Sequence, residues 1–108
     1  MTDPDKQLQI LKACAHPVRL KILKLLAKGE NCVQDVNKLL EVSQPNLSQH
    51  MGILKNSGLV DNRIKGSKRC YFLSMPTFTV NLINLLEIEH NYVPCEKVQK
   101  ILEKKNEI

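Results

Sequence analysis

Cysteine is the residue type of this sequence with the widest chemical use, because a thiolate is both a nucleophile and a ligand for soft metal ions. The chain of 108 residues holds four of them, namely Cys14, Cys32, Cys70 and Cys95. Cys32 and Cys95 each stand in the first turn of a predicted helix, Cys95 directly after Pro94. Because the amino ends of helices stabilise thiolates, we predict that Cys32 and Cys95 react more readily than Cys14 and Cys70.

No pattern typical of catalysis accompanies these cysteines. Neither His16 nor His50 has a neighbouring Ser or acid pair, and the sequence has no Gly-rich phosphate loop and no Cys-x-x-Cys pair. The sequence therefore does not predict an enzyme. Its apolar runs are much shorter than the roughly 20 residues that cross a bilayer, and no secretory signal is recognised. We expect a soluble, cytoplasmic protein without a membrane partner, with mostly reduced thiols.

The chain is basic, with 16 Lys and Arg residues against 11 Asp and Glu residues. The net charge of +5 favours a polyanionic partner, either nucleic acid or an acidic membrane surface. The length fits a single domain over residues 1–108, and 43% hydrophobic residues are enough to form a hydrophobic core.

The elements that must position the polar residues are predicted from apolar spacing and from residues that begin or end helices. Apolar residues recur at three- and four-residue steps, which is the helical period. Pro17 separates the first two helices, and Gly29 ends the second. Cys32 occupies the N-cap of the third helix, where Asp35 is placed to complete a capping box. The predicted helices cover residues 7–15, 17–28, 33–40, 43–57, 77–90 and a last stretch from 94 onward, and the predicted strands cover residues 59–63 and 69–73.

A helix, a tight turn, a second helix and a basic hairpin follow one another between residues 33 and 73. This is the layout of a winged helix-turn-helix, whose second helix enters the major groove of DNA while the hairpin, or wing, reaches phosphates or the minor groove. We therefore predict a mainly α fold with a small β-hairpin wing. No Asp or Glu occurs between Ser43 and Lys55, which suits a helix face that meets DNA. The predicted DNA contacts are Ser43, Gln44, Asn46, Ser48, Gln49, His50 and Lys55 in the second helix and Arg63, Lys65, Lys68 and Arg69 in the wing.

The helix predicted over residues 77–90 has more apolar residues than one buried stripe contains. It therefore needs cover on more than one side, and a second copy of the chain would supply that cover most simply. The apolar residues concerned are Val80, Leu82, Ile83, Leu85, Leu86 and Ile88.

Three stretches of the sequence resemble the signatures of the arsenic-repressor (ArsR) family. They are LKACAHPVRLKIL (11–23), SQPNLSQH (43–50) and LKNSGLV (54–60), and the similarity extends over about residues 8–86. The resemblance implies a homodimeric bacterial or archaeal repressor with winged helices at its outer ends. It also implies a dimer interface made of the terminal helices, at about residues 5–15 and 77–105. Such repressors leave their double-stranded DNA operator when a metal ion, a metalloid or an oxidising sulfur species changes the geometry of the dimer.

The resemblance also bears on the inducer. The family's metalloid sensors open the third helix with Cys-Val-Cys, and this chain keeps the first Cys as Cys32 but has Gln34 in place of the second. The family's persulfide and redox sensors pair a Cys at the start of that helix with one near the end of the penultimate helix. The positions of Cys32 and Cys95 at helix starts favour a two-thiol switch made of these residues, within one subunit or between subunits, and the resemblance supports this pairing. Cys14 and Cys70 stand where the family has apolar residues, which predicts small core side chains.

A second metal site known in the family, on the penultimate helix, is not predicted. That site needs pairs of Asp and His, whereas this chain has only Glu87, Glu89 and His90 there. Neighbouring side chains on a helix diverge by about 100°, so these three do not face one ion.

Two alternatives stay open at this point. A repressor of the same fold could bind arsenite or another soft metal ion through three thiolates, namely Cys32 and Cys95 with Cys70 or Cys14. A protein-interaction module, in contrast, would use the basic surface to bind an acidic partner and would have no operator. No cofactor is predicted to be required, and a metal ion or metalloid enters only as an inducer.

Overall fold

The computed structural model describes residues 3–88 and 101–103 of the chain. Between residues 3 and 88 the helices are α1 (Pro4–Cys14), α2 (Pro17–Leu26), α3 (Val33–Leu40), α4 (Gln44–Ser57) and α5 (Pro76–Glu87). The strands are β1 (Asn31–Cys32), β2 (Val60–Lys65) and β3 (Lys68–Leu73). Residues 101–103 are helical as well, and the rest of the helix predicted from residue 94 onward lies outside the described residues. The fold is mainly α with a small wing, as predicted.

Side-chain caps determine where α2 and α4 begin. His16 Nδ1 accepts a hydrogen bond from the Val18 amide at 3.1 Å, and Ser43 Oγ accepts one from the Asn46 amide at 3.4 Å. A proline in the first turn of each helix loses no intrahelical hydrogen bond there. Gly58 ends α4 with a φ of 86°, a left-handed conformation that glycine adopts without steric cost.

The start of α3 differs from the prediction. Cys32 does stand at the N-cap, but its side chain makes no capping hydrogen bond, so the predicted capping box with Asp35 is wrong. The reason is that Cys32 also belongs to β1, and its thiol faces the neighbouring strand.

The sheet has the strand order β1-β3-β2, with both pairings antiparallel. The strands β2 and β3 and the turn at Gly66, which has a φ of 63°, form the wing (residues 60–73). In the sheet register, Cys70 of the central strand lies opposite Cys32 on one side and opposite Arg63 on the other. The strand β1 was not predicted, because two residues are too few to show the alternation that marks a strand.

The hydrophobic core packs the helices against the inner side of the wing. Burying one such side chain fully contributes about 1.5 to 3 kcal/mol, so this cluster is the main source of stability. Cys14 belongs to it, as predicted. Cys70 is also buried, as predicted for a small core side chain, although it is not one of the residues of this cluster. The cluster consists of Ala13, Cys14, Ile22, Leu23, Leu26, Val36, Leu47, Met51, Leu54, Leu59, Val60 and Ile83.

Large apolar side chains also lie at the surface of α1 and α5. Leu8 and Leu11 of α1 are 50% and 56% exposed. Phe78, Leu85 and Leu86 of α5 are exposed as well, and an apolar groove between the two helices is lined by residues of both. Among the described residues, no helix combines the length and the apolar character that crossing a membrane requires.

Candidate nucleic-acid interface and thiol pair

Helix α4 has one buried and one exposed face. Leu47, Met51 and Leu54 are buried in the core at the helical spacing, and this packing fixes the rotation of α4 about its axis. The opposite face is polar, exposed and without any acidic residue. Its predicted DNA contacts are Ser43, Gln44, Asn46, Ser48, Gln49 and Lys55, all of which are exposed.

The side chain of Gln44 is oriented by the preceding helix. The Asn37 side-chain amide of α3 donates a hydrogen bond to Gln44 Oε1. This bond leaves the amide nitrogen of Gln44 as the donor that is available to a ligand. The contact spans the tight turn between α3 and α4, so it also helps to fix the angle between the two helices.

His50 differs from the other predicted DNA contacts, because it is half-buried. Its Nδ1 lies 3.2 Å from Arg19 Nη1, and its ring centroid lies 4.4 Å from that of His16. Burial, followed by the charges of His16 and Arg19, lowers the pKa of His50 from its ordinary value. Near neutral pH the ring is therefore uncharged, and it packs α4 against α2 instead of extending from the exposed face.

Arg19 connects three helices at this point. Its Nε donates to the Ala13 carbonyl oxygen at 2.7 Å and its Nη2 to the Lys12 carbonyl oxygen at 3.4 Å, so Arg19 satisfies the last turn of α1 while its Nη1 contacts His50. Sequence reasoning missed this residue. The capping of a helix end by a basic residue from the next helix depends on the packing angle, and residue spacing gives no signal of that angle.

Two of the four basic residues of the wing are in ion pairs, and the other two are exposed. Arg63 donates from Nε and Nη2 to the two carboxylate oxygens of Glu30, each at 2.7 Å, and Lys65 Nζ donates to Glu30 Oε1 at 2.6 Å. Lys68 and Arg69, at the other end of the wing turn, are exposed. The hydrogen bonds from Arg63 and Lys65 lower the pKa of Glu30 to about 2. Glu30 therefore keeps two of the four predicted wing contacts in ion pairs, and sequence reasoning did not single it out.

Replacing Glu30 with Gln should raise the affinity for duplex DNA of any sequence. The change removes one negative charge and releases Arg63 and Lys65 toward phosphates, each worth about 0.9 units in the slope of log affinity against log salt. Titrations by fluorescence anisotropy at several salt concentrations measure that slope. The control is Glu87→Gln in α5, which removes the same charge from an ion pair with Lys24 of α2. Equal slopes in wild type and Glu30→Gln would contradict the release of these cations.

The same ion pairs predict a pH dependence of stability. Because the pKa of Glu30 lies below its ordinary value of 4.5, the ion pairs stabilise the fold fully above about pH 4.5 and lose this effect as the pH falls toward 2. The difference in unfolding free energy between wild type and Glu30→Gln should shrink over that range. Chemical denaturation at a series of pH values measures it.

Two of the four thiols lie in contact. Cys32 Sγ and Cys70 Sγ are 2.9 Å apart, and the two residues are direct partners in the β1 and β3 pairing. Cys32 is half-buried, whereas Cys70 is only 2% exposed. The hydrogen bond with Cys32, followed by burial, raises the pKa of the Cys70 thiol. We call Cys32 and Cys70 the thiol pair. Cys95, the partner that the sequence favoured for Cys32, lies outside the described residues.

A three-ligand metal site does not form among residues 3–88 and 101–103, where no three His, Cys, Asp or Glu side chains cluster. Both predicted three-thiolate sets include Cys95, which lies outside the described residues, so they stay predictions. Cys14 is buried in the core, and burial raises the pKa of its thiol. The thiol pair alone supplies two of the three thiolates that trivalent arsenic prefers. Of the three residues Glu87, Glu89 and His90, the structure describes only Glu87, whose carboxylate pairs with Lys24 Nζ at 3.0 Å.

Comparison with known proteins identifies related sequences of one family. The sequence profile of the bacterial regulatory protein arsR family matches residues 16–62. The arsenical resistance operon repressor of Escherichia coli is 38% identical over 98 residues, which are 88% of this chain and 80% of that protein. The biofilm growth-associated repressor of Agrobacterium fabrum is 40% identical over 65 residues, and the match spans 60% of this chain and 56% of that protein.

Solved structures have the same fold. Reduced HlyU from Vibrio cholerae superposes with a TM-score of 0.69 at 34% identity, over 79% of this chain and 92% of that one. The homodimeric winged helix-turn-helix DNA-binding domain of Mb0332 from Mycobacterium bovis superposes with a TM-score of 0.72 at 27% identity, over 82% of this chain and 89% of that one. The matches in sequence and in fold run through the helix-turn-helix and into the wing. The chain therefore belongs to the arsR family of bacterial regulatory proteins.

Proposed function

We propose that the protein is a homodimeric transcriptional repressor that binds a double-stranded DNA operator and leaves it on a thiol-directed signal. The observation that carries the proposal is the acid-free polar face of α4, which is exposed beside the basic wing. Amides and hydroxyls on such a face can reach base edges in the major groove, while wing cations reach phosphates. Since a repressor acts where the DNA lies, we place the protein in the cytoplasm.

The dimer is part of this proposal. The exposed apolar residues of α1 and α5 form an apolar surface whose contact with water is unfavourable in free energy. A second copy of the chain would bury this surface. The related domain of Mb0332 is homodimeric. A two-fold dimer presents two α4 helices to successive major grooves, so we expect an operator with an imperfect palindrome.

DNA binding is tested by comparing two lysines of the wing. Lys68→Gln should lower the salt slope of duplex DNA binding by about one unit, because exposed Lys68 is available to a phosphate. Lys65→Gln is the matched control, and it should lower the slope less, because Lys65 is paired with Glu30. Wild-type protein that binds no duplex DNA at low salt, and instead binds acidic proteins, would favour the protein-interaction module and contradict the repressor.

We propose that the signal acts at Cys32. This thiol is half-buried and lies at the junction of β1 and α3, between the wing and the helix-turn-helix. The relative HlyU from Vibrio cholerae has been described in a reduced form, which supports a redox signal for this chain. Two thiols compete as its partner, Cys95 from the resemblance and Cys70 from the contact in the structure.

Cys32→Ser should bind the operator like the wild type and should fail to leave it when a polysulfide is added. Serine replaces the sulfur with an oxygen that cannot be oxidised, so the signal has no acceptor while the shape of the site is nearly kept. Fluorescence anisotropy of a labelled operator, with and without sodium tetrasulfide, measures the response. Cys14→Ser is the matched control and should respond like the wild type. A Cys32→Ser protein that still leaves the operator would exclude Cys32 as the acceptor.

No observation among the described residues favours the soft-metal alternative over this one, since the thiol pair lacks a third ligand there. If a third thiolate completed the site, arsenite would bind the reduced protein and release the operator without any oxidant. Adding arsenite in place of polysulfide in the same assay therefore separates the two candidates.

A further inference from the structure

We infer that Cys32 and Cys70 of one protomer are a disulfide-forming site, oxidised by a hydropersulfide or an inorganic polysulfide. The inference deepens the proposed function, on which its effect on DNA rests, by naming the partner of Cys32. In this inference the partner of Cys32 is Cys70 and not Cys95. Both residues then lie in the wing and the adjoining strand β1 of the same protomer.

The backbone geometry already suits a disulfide. Direct partners in an antiparallel sheet have Cα atoms about 4.5 to 5.5 Å apart, and disulfides span Cα separations of about 4.4 to 6.8 Å. Cys32 and Cys70 are such partners, and their sulfur atoms already face each other at 2.9 Å. Bond formation therefore requires only a small approach of two side chains, without a change of sheet register.

The two thiols differ in access, which gives each a separate role. Cys32 is half-buried, so its thiol is accessible to an oxidant in the solvent and can react with it first. Cys70, at 2% exposure, is covered and is reached most directly through Cys32. Cys32 is the attacking thiol and Cys70 the resolving thiol.

The reaction balances with a hydropersulfide, RSSH, as the oxidant. The Cys32 thiolate attacks the outer sulfur of RSSH, a new S–S bond forms, and RS⁻ leaves and takes up the thiol proton as RSH. Cys32 then carries a persulfide, Cys32–S–SH. The Cys70 thiolate attacks the inner sulfur, the Cys32–Cys70 bond forms, and HS⁻ leaves and is protonated to H₂S. The two cysteine sulfurs are oxidised by one electron each, and the two sulfur atoms of the hydropersulfide are reduced by one electron each, to RSH and H₂S.

The site lies at the place where the wing is attached to the rest of the chain. Cys70 pairs with Cys32 on one side and with Arg63 on the other, and Glu30, two residues before Cys32, holds Arg63 and Lys65. A bond between the thiols would draw β1 and β3 together beneath these ion pairs. We expect the oxidised protein to bind its operator at least tenfold more weakly than the reduced protein.

The test uses the full chain with Cys14→Ala and Cys95→Ser combined, so that Cys32 and Cys70 are the only thiols left. The reduced protein is treated with sodium tetrasulfide, digested without reductant and analysed by mass spectrometry. Chymotrypsin is required for the parallel digest of the wild type, because no Lys or Arg separates Cys70 from Cys95 and trypsin would leave them in one peptide. The expected product is a peptide pair that joins Cys32 to Cys70 and is released by dithiothreitol.

Two results would overturn the inference. They are a double variant that forms no bridge between Cys32 and Cys70, and a wild type in which Cys32 is joined to Cys95. Operator binding in the same samples tests the proposed function separately. A bridge between Cys32 and Cys70 without operator release would support the site and contradict thiol-directed release, whereas release without this bridge would contradict the site and support a signal received elsewhere.

Discussion

Leu11→Glu should leave the protein monomeric and reduce its operator affinity by about 100-fold or more. Leu11 is 56% exposed and Leu8, one helical turn before it on α1, is 50% exposed, and both lie on the surface that we propose to be covered by the second protomer. A carboxylate at this place would have to lose its water when the dimer forms, and an unpaired buried charge is costly. A monomer binds one half-site only, and it loses the avidity of about 10² to 10⁴ that two linked sites can provide.

Analytical ultracentrifugation gives the mass of this variant, and anisotropy with a labelled operator gives its affinity. Leu39→Glu is the matched control, because Leu39 is 62% exposed but lies on α3, outside the proposed interface. The control should remain a dimer. If Leu11→Glu also sediments as a dimer with unchanged affinity, the exposed residues of α1 are not part of the interface.

Gln44→Ala and Ser48→Ala should each weaken operator binding by about 1 to 3 kcal/mol and relax the preference for particular bases. Both residues are exposed on the polar face of α4, and a lost contact to a base edge has this magnitude. The Gln44 effect should include a contribution from orientation, since Asn37 holds its side chain. Asn37→Ala should therefore reproduce part of the loss without removing the contacting group.

Competition between the operator and base-substituted operators measures the preference. Gln34→Ala is the control for the residue type, since Gln34 is exposed on α3 and outside α4. It should keep the preference of the wild type. Equal discrimination between bases in wild type, Gln44→Ala and Ser48→Ala would mean that α4 does not read the sequence of the DNA.

The helices were largely predictable from the sequence because their signals are local. Ser43 and Gly58 delimit α4 through a cap and a left-handed residue, and both are recognisable within a few residues. The buried spacing of Leu47, Met51 and Leu54 likewise fixed which face of α4 would be exposed. Local chemistry therefore predicted the surface that we propose to meet DNA.

The contacts that modify this surface were not predictable, because they join residues far apart in the chain. Glu30 meets Arg63 only after β1 has paired with β3, and a strand of two residues has no period to detect. The same pairing brings Cys32 to Cys70, whereas the sequence-based choice of Cys95 depended on its predicted place at a helix start and on the family resemblance. His50 was expected on the exposed face, and its contact with Arg19 depends on the angle at which α4 crosses α2.

The thiol pair has a topological consequence as well. Cys32 and Cys70 are 38 residues apart, and the segment between them contains α3, α4 and β2, together with the turn of the wing. A bond between them would turn that DNA-binding segment into a closed ring and remove chain entropy from its unfolded state, which for a ring of this length is worth about 4 kcal/mol. The oxidised protein would then be the form that is harder to unfold and to digest. A repressor that has left its operator would be protected from proteolysis until reduction returns it to DNA.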